Sequence, residues 1–131
     1  MANELTAEKK NFVSLMTEKP LSDLIKPLSR EILLFDSYIA GTTHIKDESV
    51  FEGIKEGDRL ILQREPLNNF DENAILVLNE KKQKLGYIPE KDNIVFTRLM
   101  DAGKCLFAKV KYYEPKGAFK KIGIDIYLVD F

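Results

Sequence analysis

The chain of 131 residues is poor in the residues that most often build redox, disulfide and metal sites, with one cysteine and one histidine. It also has no tryptophan. Cys105 has no second cysteine to pair with, which is typical of a reducing compartment and predicts a cytoplasmic protein. It lies in a strand-like run, where we expect a small buried thiol. Because His44 is far away in sequence, no standard transition-metal cluster is expected, and we predict no metal ligand and no cofactor.

Long apolar runs are also lacking. None approaches the ~20 residues of a membrane-spanning helix, and the N-terminus is polar, so neither a membrane span nor a secretory signal is predicted. The HExxH, Walker A, GxSxG and CxxC patterns of common catalytic sites do not occur. Adjacent acidic pairs such as Asp47-Glu48 and Asp71-Glu72 would point to opposite faces of a strand. We therefore predict a binding protein and not an enzyme.

What the chain does have is an ordinary globular composition, with 44% hydrophobic and 31% charged residues, which predicts one domain. The net charge of −1 hides an asymmetry. Residues 1–80 carry nine basic and fifteen acidic side chains, whereas residues 81–131 carry eleven basic and six acidic. One interpretation is a positive face on a nearly neutral protein. The other is a solvated lysine surface without a partner.

The first segment has a helical pattern. Thr6 suits a helix N-cap, because the acidic Glu8 follows in the first turn, and Pro20 ends the pattern. Apolar residues near helical spacing form one stripe: Leu5, Phe12, Leu15 and Met16. Ser29 is expected to cap a further short helical piece over residues 30–34. We predict that residues 1–34 are a helical N-terminal extension packed on the domain, with a detachable arm or a dimerisation element as the alternatives.

From Leu33 the pattern changes to short β-prone runs separated by polar turns. The predicted strands are 33–40, 60–64, 74–78, 85–88, 106–113 and 122–129. Residues 90–100 are predicted as a helix that stops at Gly103. About six short strands and one inserted helix predict a mainly β domain over residues 35–131. Its expected architecture is a small antiparallel barrel like the oligonucleotide-binding (OB) fold.

The most informative stretch, residues 64–78, places a polar turn between two apolar strands. Pro66 has no backbone N–H, so it stops strand pairing. Four residues that bond their own backbone then turn the chain without glycine: Asn68, Asn69, Asp71 and Asn73. Phe70 lies at the tip of this turn. Its ring is either a binding group on a loop held between two strands, or it folds back to cap the barrel.

Four blocks of the sequence, in order, resemble a HIRAN domain, a small β-module found at the N-terminus of some helicase-like proteins and as stand-alone prokaryotic proteins. The blocks are Ile39-Ala40-Gly41-Thr42-Thr43-His44, Gly57-Asp58-Arg59-Leu60, residues 64–75 and Leu85-Gly86-Tyr87-Ile88-Pro89. The resemblance runs from Ser37 to Phe131 and leaves residues 1–34 outside. It implies the same barrel architecture.

The resemblance also implies a nucleic-acid site. In family members that bind single-stranded DNA, a ring from this turn stacks on the terminal base, and the next carboxylate accepts a hydrogen bond from the 3′-hydroxyl. By position these residues are Phe70 and Asp71. The alternative for Asp71 is an Asx-turn residue that fixes the loop, and the two roles are compatible. Tyr87 is the second candidate ring.

The chain departs from eukaryotic family members where they place cationic side chains. Thr43 and His44 stand where those members have an arginine and a stacking tyrosine. Tyr87 stands in the place of a histidine. Glu90 replaces a lysine, and Lys91, one residue on, is the compensating cation. A weaker set of phosphate ligands is therefore expected.

Arg64 has two interpretations, a phosphate contact or a fork onto a carboxylate or carbonyls of the Asn-rich turn. Gly41 and Gly86 are predicted to serve a bulge or a close backbone approach. The full set of predicted nucleic-acid-binding residues is Thr43, His44, Arg64, Asn68, Phe70, Asp71, Tyr87 and Lys91.

These features predict a module that binds single-stranded DNA or DNA 3′ ends in DNA repair or replication-fork processing, with a helicase or nuclease as a further partner. The alternative is a protein-interaction adaptor of the same fold, in which Phe70 and Tyr87 anchor a peptide. A third interpretation is a hydrolase-accessory role, in which a partner supplies a phosphodiesterase-type or nuclease activity. Zinc binding comes with the resemblance alone, and no residue is assigned to either.

Overall fold

The computed structural model describes residues 30–130 of the chain. The strands are β1 Arg30–Tyr38, β2 Arg59–Arg64, β3 Ile75–Leu78, β4 Lys84–Tyr87, β5 Cys105–Lys116 and β6 Phe119–Asp130. Within this range the single α-helix, α1 Glu90–Asp101, follows β4, and two 3-10 helices, Thr42–His44 and Glu48–Phe51, follow β1. The predicted N-terminal helix falls on residues outside the described range.

The six strands form one antiparallel sheet in the order β1-β6-β5-β2-β3-β4. The sheet curls until the chain just beyond its edge strand β1 meets the other edge strand, β4. Just after β1, the Ala40 N–H donates to the Tyr87 carbonyl at 2.7 Å, and the Tyr87 N–H donates back at 2.9 Å. The product is a curled half-barrel with one helix, so the predicted OB-like class is confirmed.

This closure depends on Gly86. A Cβ at that position would lie 2.3 Å from the Ala40 carbonyl oxygen and 2.6 Å from Cγ2 of Ile39, far inside van der Waals contact. Gly41 then adopts a left-handed backbone with φ 76°, which turns the chain into the first 3-10 helix. The predicted close backbone approach is therefore confirmed at Gly86, whereas at Gly41 the left-handed backbone, and not a close approach, favours glycine.

Alternation of side chains along the long strands builds the core. The inward residues of β5 and β6 are buried: Leu106, Ala108, Val110, Ile122, Ile124 and Ile126. Helix α1 contributes Phe96 to the same cluster. Full burial of a large aliphatic or aromatic side chain contributes about 1.5–3 kcal/mol. This core is the scaffold on which the connections between strands are held.

Two local predictions are wrong. Residues 30–34, expected as a short helical piece, are the first part of β1, because pairing in the sheet overrides the helical propensity of their leucines. The strand therefore runs across the predicted boundary between residues 34 and 35. Cys105 is exposed and not buried, because it begins β5 on the face opposite to the inward Leu106. Among residues 30–130, no helix is long and apolar enough to cross a membrane.

Candidate nucleic-acid interface

The turn between β2 and β3 is held by its own side chains. Oδ1 of Asn68 accepts hydrogen bonds from the backbone N–H groups of Phe70 (2.8 Å) and Asp71 (3.0 Å). Oδ1 of Asp71 accepts from the N–H of Asn73 at 2.9 Å. The predicted turn-forming role of Asn68 and Asp71 is confirmed. Phe70 does not fold back onto the barrel: its ring stands at the tip, 95% exposed.

Arg64 ties the base of this turn to α1. Its guanidinium donates to the carbonyls of Ala74 (2.6 Å) and Glu72 (2.9 Å), and Nε donates to Oδ1 of Asp101 at 2.9 Å. The side chain is only 15% exposed. The interpretation of Arg64 as a fork onto the turn is confirmed. A phosphate contact stays a prediction that this geometry disfavours, because the donors already face protein acceptors.

Helix α1 holds the turn at two points that the sequence analysis missed. Asn93, a buried residue, donates from Nδ2 to Oδ2 of Asp71 at 2.8 Å. One helical turn later, the buried Thr97 donates from Oγ1 to the Asn73 carbonyl at 2.7 Å. The only signal in the sequence is a pair of polar residues four positions apart, on the face that also carries Phe96. Both carboxylate oxygens of Asp71 are therefore oriented by donors.

A cleft of about 390 Å³ opens beside this turn. Its lining comes from the turn, from the end of β4 with the start of α1, and from the chain after β1: Ala40, Gly41, His44, Asn68, Phe70, Asp71, Ala74, Tyr87, Ile88 and Glu90. Five of the eight predicted binding residues are thus brought together: His44, Asn68, Phe70, Asp71 and Tyr87. They converge here because the Ala40–Tyr87 bridge joins the sheet edges at this point.

A second cavity of about 410 Å³ lies between residues 49–60 and the β3–β4 hairpin. None of the predicted binding residues lines it. This second cavity is marginally larger, but volume alone does not indicate a binding site. We place the candidate site at the cleft beside Phe70, because the predicted binding residues converge there.

Glu65 organises one rim of the cleft. Its Oε1 accepts from the Tyr87 hydroxyl at 2.7 Å and from Nδ2 of Asn68 at 2.7 Å. These two hydrogen bonds hold the pKa of Glu65 below its usual value, and the bond from Tyr87 has the larger effect. The positive charge of Lys84 acts in the same direction. Nζ of Lys84 also lies 4.6 Å from the centroid of the Tyr87 ring. The hydrogen bond from its hydroxyl to Glu65 therefore fixes the Tyr87 side chain, and the ammonium group of Lys84 lies over its ring.

Two further predicted residues lie outside this lining. Thr43 is exposed on the first 3-10 helix, whereas the neighbouring Thr42 is buried and exchanges two hydrogen bonds of 3.1 Å with the backbone of Lys120. Nζ of Lys91 lies 5.5 Å from the Tyr38 ring, and its side chain lines a separate groove between β1 and α1.

The lining of the cleft carries more acidic than basic groups. Asp71 and Glu90 line it, whereas His44 is the one basic residue in the described lining. Around Tyr87, just outside this lining, the carboxylate of Glu65 and the ammonium group of Lys84 lie together. Among residues 30–130, no group of three or more histidine, cysteine or acidic side chains is placed to hold a metal ion. The zinc binding that came with the family resemblance finds no donor set in this part of the chain.

Comparisons with known proteins agree with this architecture. The HIRAN domain model matches residues 32–129. A crystal structure of a Lactobacillus plantarum protein is similar with a TM-score of 0.74 and 25% identity, over 79% of this chain and 99% of that one. The crystal structure of the HIRAN domain of human HLTF gives a TM-score of 0.58 at 20% identity, over 76% and 79%.

An NMR structure of the HLTF domain in its DNA-bound conformation gives a TM-score of 0.53 at 20% identity, over 74% of this chain and 78% of that one. No curated protein sequence matches significantly. The family model covers most of the chain, and the residues that it matches include all of β2 to β5, the bridge at Gly86 and most of β1 and β6. The chain belongs to the HIRAN domain family.

Proposed function

We propose that this chain binds the end of single-stranded DNA, with the 3′-terminal nucleoside at the cleft, and that it acts by binding without turnover. One observation carries the proposal: Phe70 stands 95% exposed on a hydrogen-bonded turn, next to the oriented carboxylate of Asp71. Such a ring has no role in the core. A base that stacks on an exposed ring contributes ~1–3 kcal/mol to binding.

Asp71 favours an end over an internal nucleotide. A carboxylate repels the phosphate that links internal nucleotides, but it accepts a hydrogen bond well from a free hydroxyl. Each carboxylate oxygen has two lone pairs, so the bonds from Asn73 and Asn93 leave acceptor capacity for a ligand. The scarcity of cations in the lining fits a ligand that brings few phosphates into the cleft.

The relatives support the choice of DNA as ligand, since the HIRAN domain of human HLTF has a DNA-bound conformation with this fold. From the family resemblance we further propose a role in DNA repair or replication-fork processing, with a helicase or nuclease as a partner that would supply any hydrolase activity. The single cysteine favours a cytoplasmic location. Zinc is not part of this proposal. Arg64 and Thr43 are not assigned to the terminal nucleoside, because neither lines the cleft.

A second candidate is supported by the charge of the cleft. Two aromatic rings and two carboxylates, Phe70, Tyr87, Asp71 and Glu90, also suit an ammonium group of a peptide, as in an adaptor domain. The variant Glu90→Lys separates the two ligands. It should tighten DNA binding and steepen the salt dependence by about one phosphate contact, a change of ~0.7 in the slope for a single strand. The same variant should weaken the binding of a lysine-containing peptide.

The direct experiment is a fluorescence-anisotropy titration of the wild-type chain with one oligonucleotide that carries a 3′-hydroxyl, a 3′-phosphate or a blocked 3′ end, repeated over a salt series. We expect the free hydroxyl to bind about tenfold tighter or more, with a shallow salt slope of a few contacts. Equal affinity for all three ends with a steep slope would mean non-specific binding along the backbone, and the proposal would be wrong. Binding of a lysine-containing peptide without binding of DNA would favour the adaptor.

A further inference from the structure

Resting on the proposed function, we infer that Asn93 is a positioning residue for end recognition: it holds the Asp71 carboxylate in the orientation that selects a terminal hydroxyl over a terminal phosphate. Asn93 itself is 3% exposed and lies on the first turn of α1. It therefore acts through Asp71 and not by touching DNA.

The burial of Asn93 is the first step of the argument. An amide removed from water costs free energy unless it is hydrogen-bonded, and an apolar side chain of similar size would pack in this place without that cost. The Nδ2 group makes its bond to a carboxylate on a different element, 22 positions away in the chain. The site thus holds a buried polar group that is hydrogen-bonded to the residue that we assign to the 3′-hydroxyl.

The second step is the geometry at Asp71. The Asn73 N–H meets Oδ1 at 2.9 Å, and Nδ2 of Asn93 meets Oδ2 at 2.8 Å, so two donors at separate oxygens fix the plane of the carboxylate. Rotation about the terminal torsion of an aspartate is otherwise broad. Without Asn93 the bond from the Asn73 N–H remains, but the carboxylate of Asp71 is free to rotate about its terminal torsion. A carboxylate that rotates accepts a hydrogen bond less well from a hydroxyl in one fixed position, and it can turn away from a phosphate.

Thr97 provides a matched control. It lies on the same face of α1, is equally buried, and bonds the same turn, but through the carbonyl of Asn73 at 2.7 Å and not through Asp71. Loss of its hydroxyl loosens the attachment of the turn to the helix and leaves both donors to Asp71 in place. A purely structural role for Asn93 predicts that Asn93 and Thr97 variants behave alike.

The test compares the ratio of dissociation constants for 3′-phosphate and 3′-hydroxyl oligonucleotides in wild type, Asn93→Leu, Asn93→Ser and Thr97→Val, with the melting temperature of each. We expect both Asn93 variants to lower the ratio about tenfold, and Thr97→Val to melt earlier with a ratio within about twofold of wild type. Asn93→Ser keeps a polar group and serves if Asn93→Leu does not fold.

Two results overturn the inference while the proposed function stands: a wild-type ratio in a folded Asn93 variant, or an equal fall of the ratio in Thr97→Val. If the wild-type chain binds DNA but does not prefer a free hydroxyl, end recognition fails and the role of Asn93 fails with it. The wild-type titration therefore separates the two failures.

Discussion

Replacement of Phe70 by alanine should weaken DNA binding without lowering the stability of the fold. The ring is 95% exposed at the tip of the turn, so its loss uncovers no core, and we expect the free energy of unfolding to stay within about 0.5 kcal/mol of wild type. The bonds that set the turn involve the backbone N–H of Phe70 and the side chain of Asn68, and both survive the change. The affinity for single-stranded DNA should fall by one stacked base, ~1–3 kcal/mol, which is about five- to 150-fold in the dissociation constant.

Leu67→Ala is the control for this prediction. Leu67 is 92% exposed on the same turn, but it does not line the cleft, so its removal should change neither stability nor affinity. The assay is anisotropy with free and blocked 3′ ends, with urea unfolding on the same samples. Phe70→Ala should lower affinity for both kinds of end alike. An affinity equal to wild type, or an equal loss in Leu67→Ala, would refute stacking on Phe70.

Three further changes test the frame of the site. Arg64→Met should destabilise the fold by about 1–3 kcal/mol, because the partly buried Ala74 carbonyl, the exposed Glu72 carbonyl and the Asp101 carboxylate lose their donor, and an unchanged urea midpoint would contradict this. Gly86→Ala should cost about 1–3 kcal/mol or more, since its Cβ meets the Ala40 carbonyl, and hydrogen exchange of the bridging amides should accelerate. Tyr87→Phe should raise the pKa of Glu65 toward its usual value. A carboxyl group whose pKa is lowered in the folded state stabilises the fold at pH values above its unfolded pKa of ~4.3, and this stabilisation is lost as the pH falls. The loss of folding stability in Tyr87→Phe should therefore be larger at about pH 7 than at about pH 3. A loss that does not depend on pH would contradict this prediction.

The parts of the site that the sequence predicted are those whose bonds are local. Asn68 and Asp71 bond to N–H groups two or three positions further along, so the residue types alone indicate the turn. The fork of Arg64 joins a strand end to the turn that follows it, and was also accessible as one of two interpretations. The strands were predictable because alternation and turn residues mark them before any tertiary contact is known.

The parts that were missed depend on how distant segments meet. Asn93 and Thr97 find partners 22 and 24 positions away, and nothing in the chain near them indicates a bond to the turn. Cys105 was predicted to face the core, but it is exposed. Whether the first residue of a strand faces the core depends on the register of strand pairing, and local composition does not determine that register. Residues 30–34 joined the sheet because tertiary pairing outweighed local propensity.

The central claim is that the carboxylate of Asp71 reads a free 3′-hydroxyl, and its most direct test is the ratio of affinities for 3′-hydroxyl and 3′-phosphate oligonucleotides in Asp71→Asn and Asp71→Ala. Asp71→Asn retains an oxygen that can form the turn but loses the charge. The account predicts that both variants weaken binding of the free hydroxyl by about 1.5–3 kcal/mol, while the 3′-phosphate binds as before or more tightly. If both variants bind the two ends with the wild-type ratio, end recognition by Asp71 is wrong, and Phe70 and Asp71 are only the turn that joins two strands of the barrel.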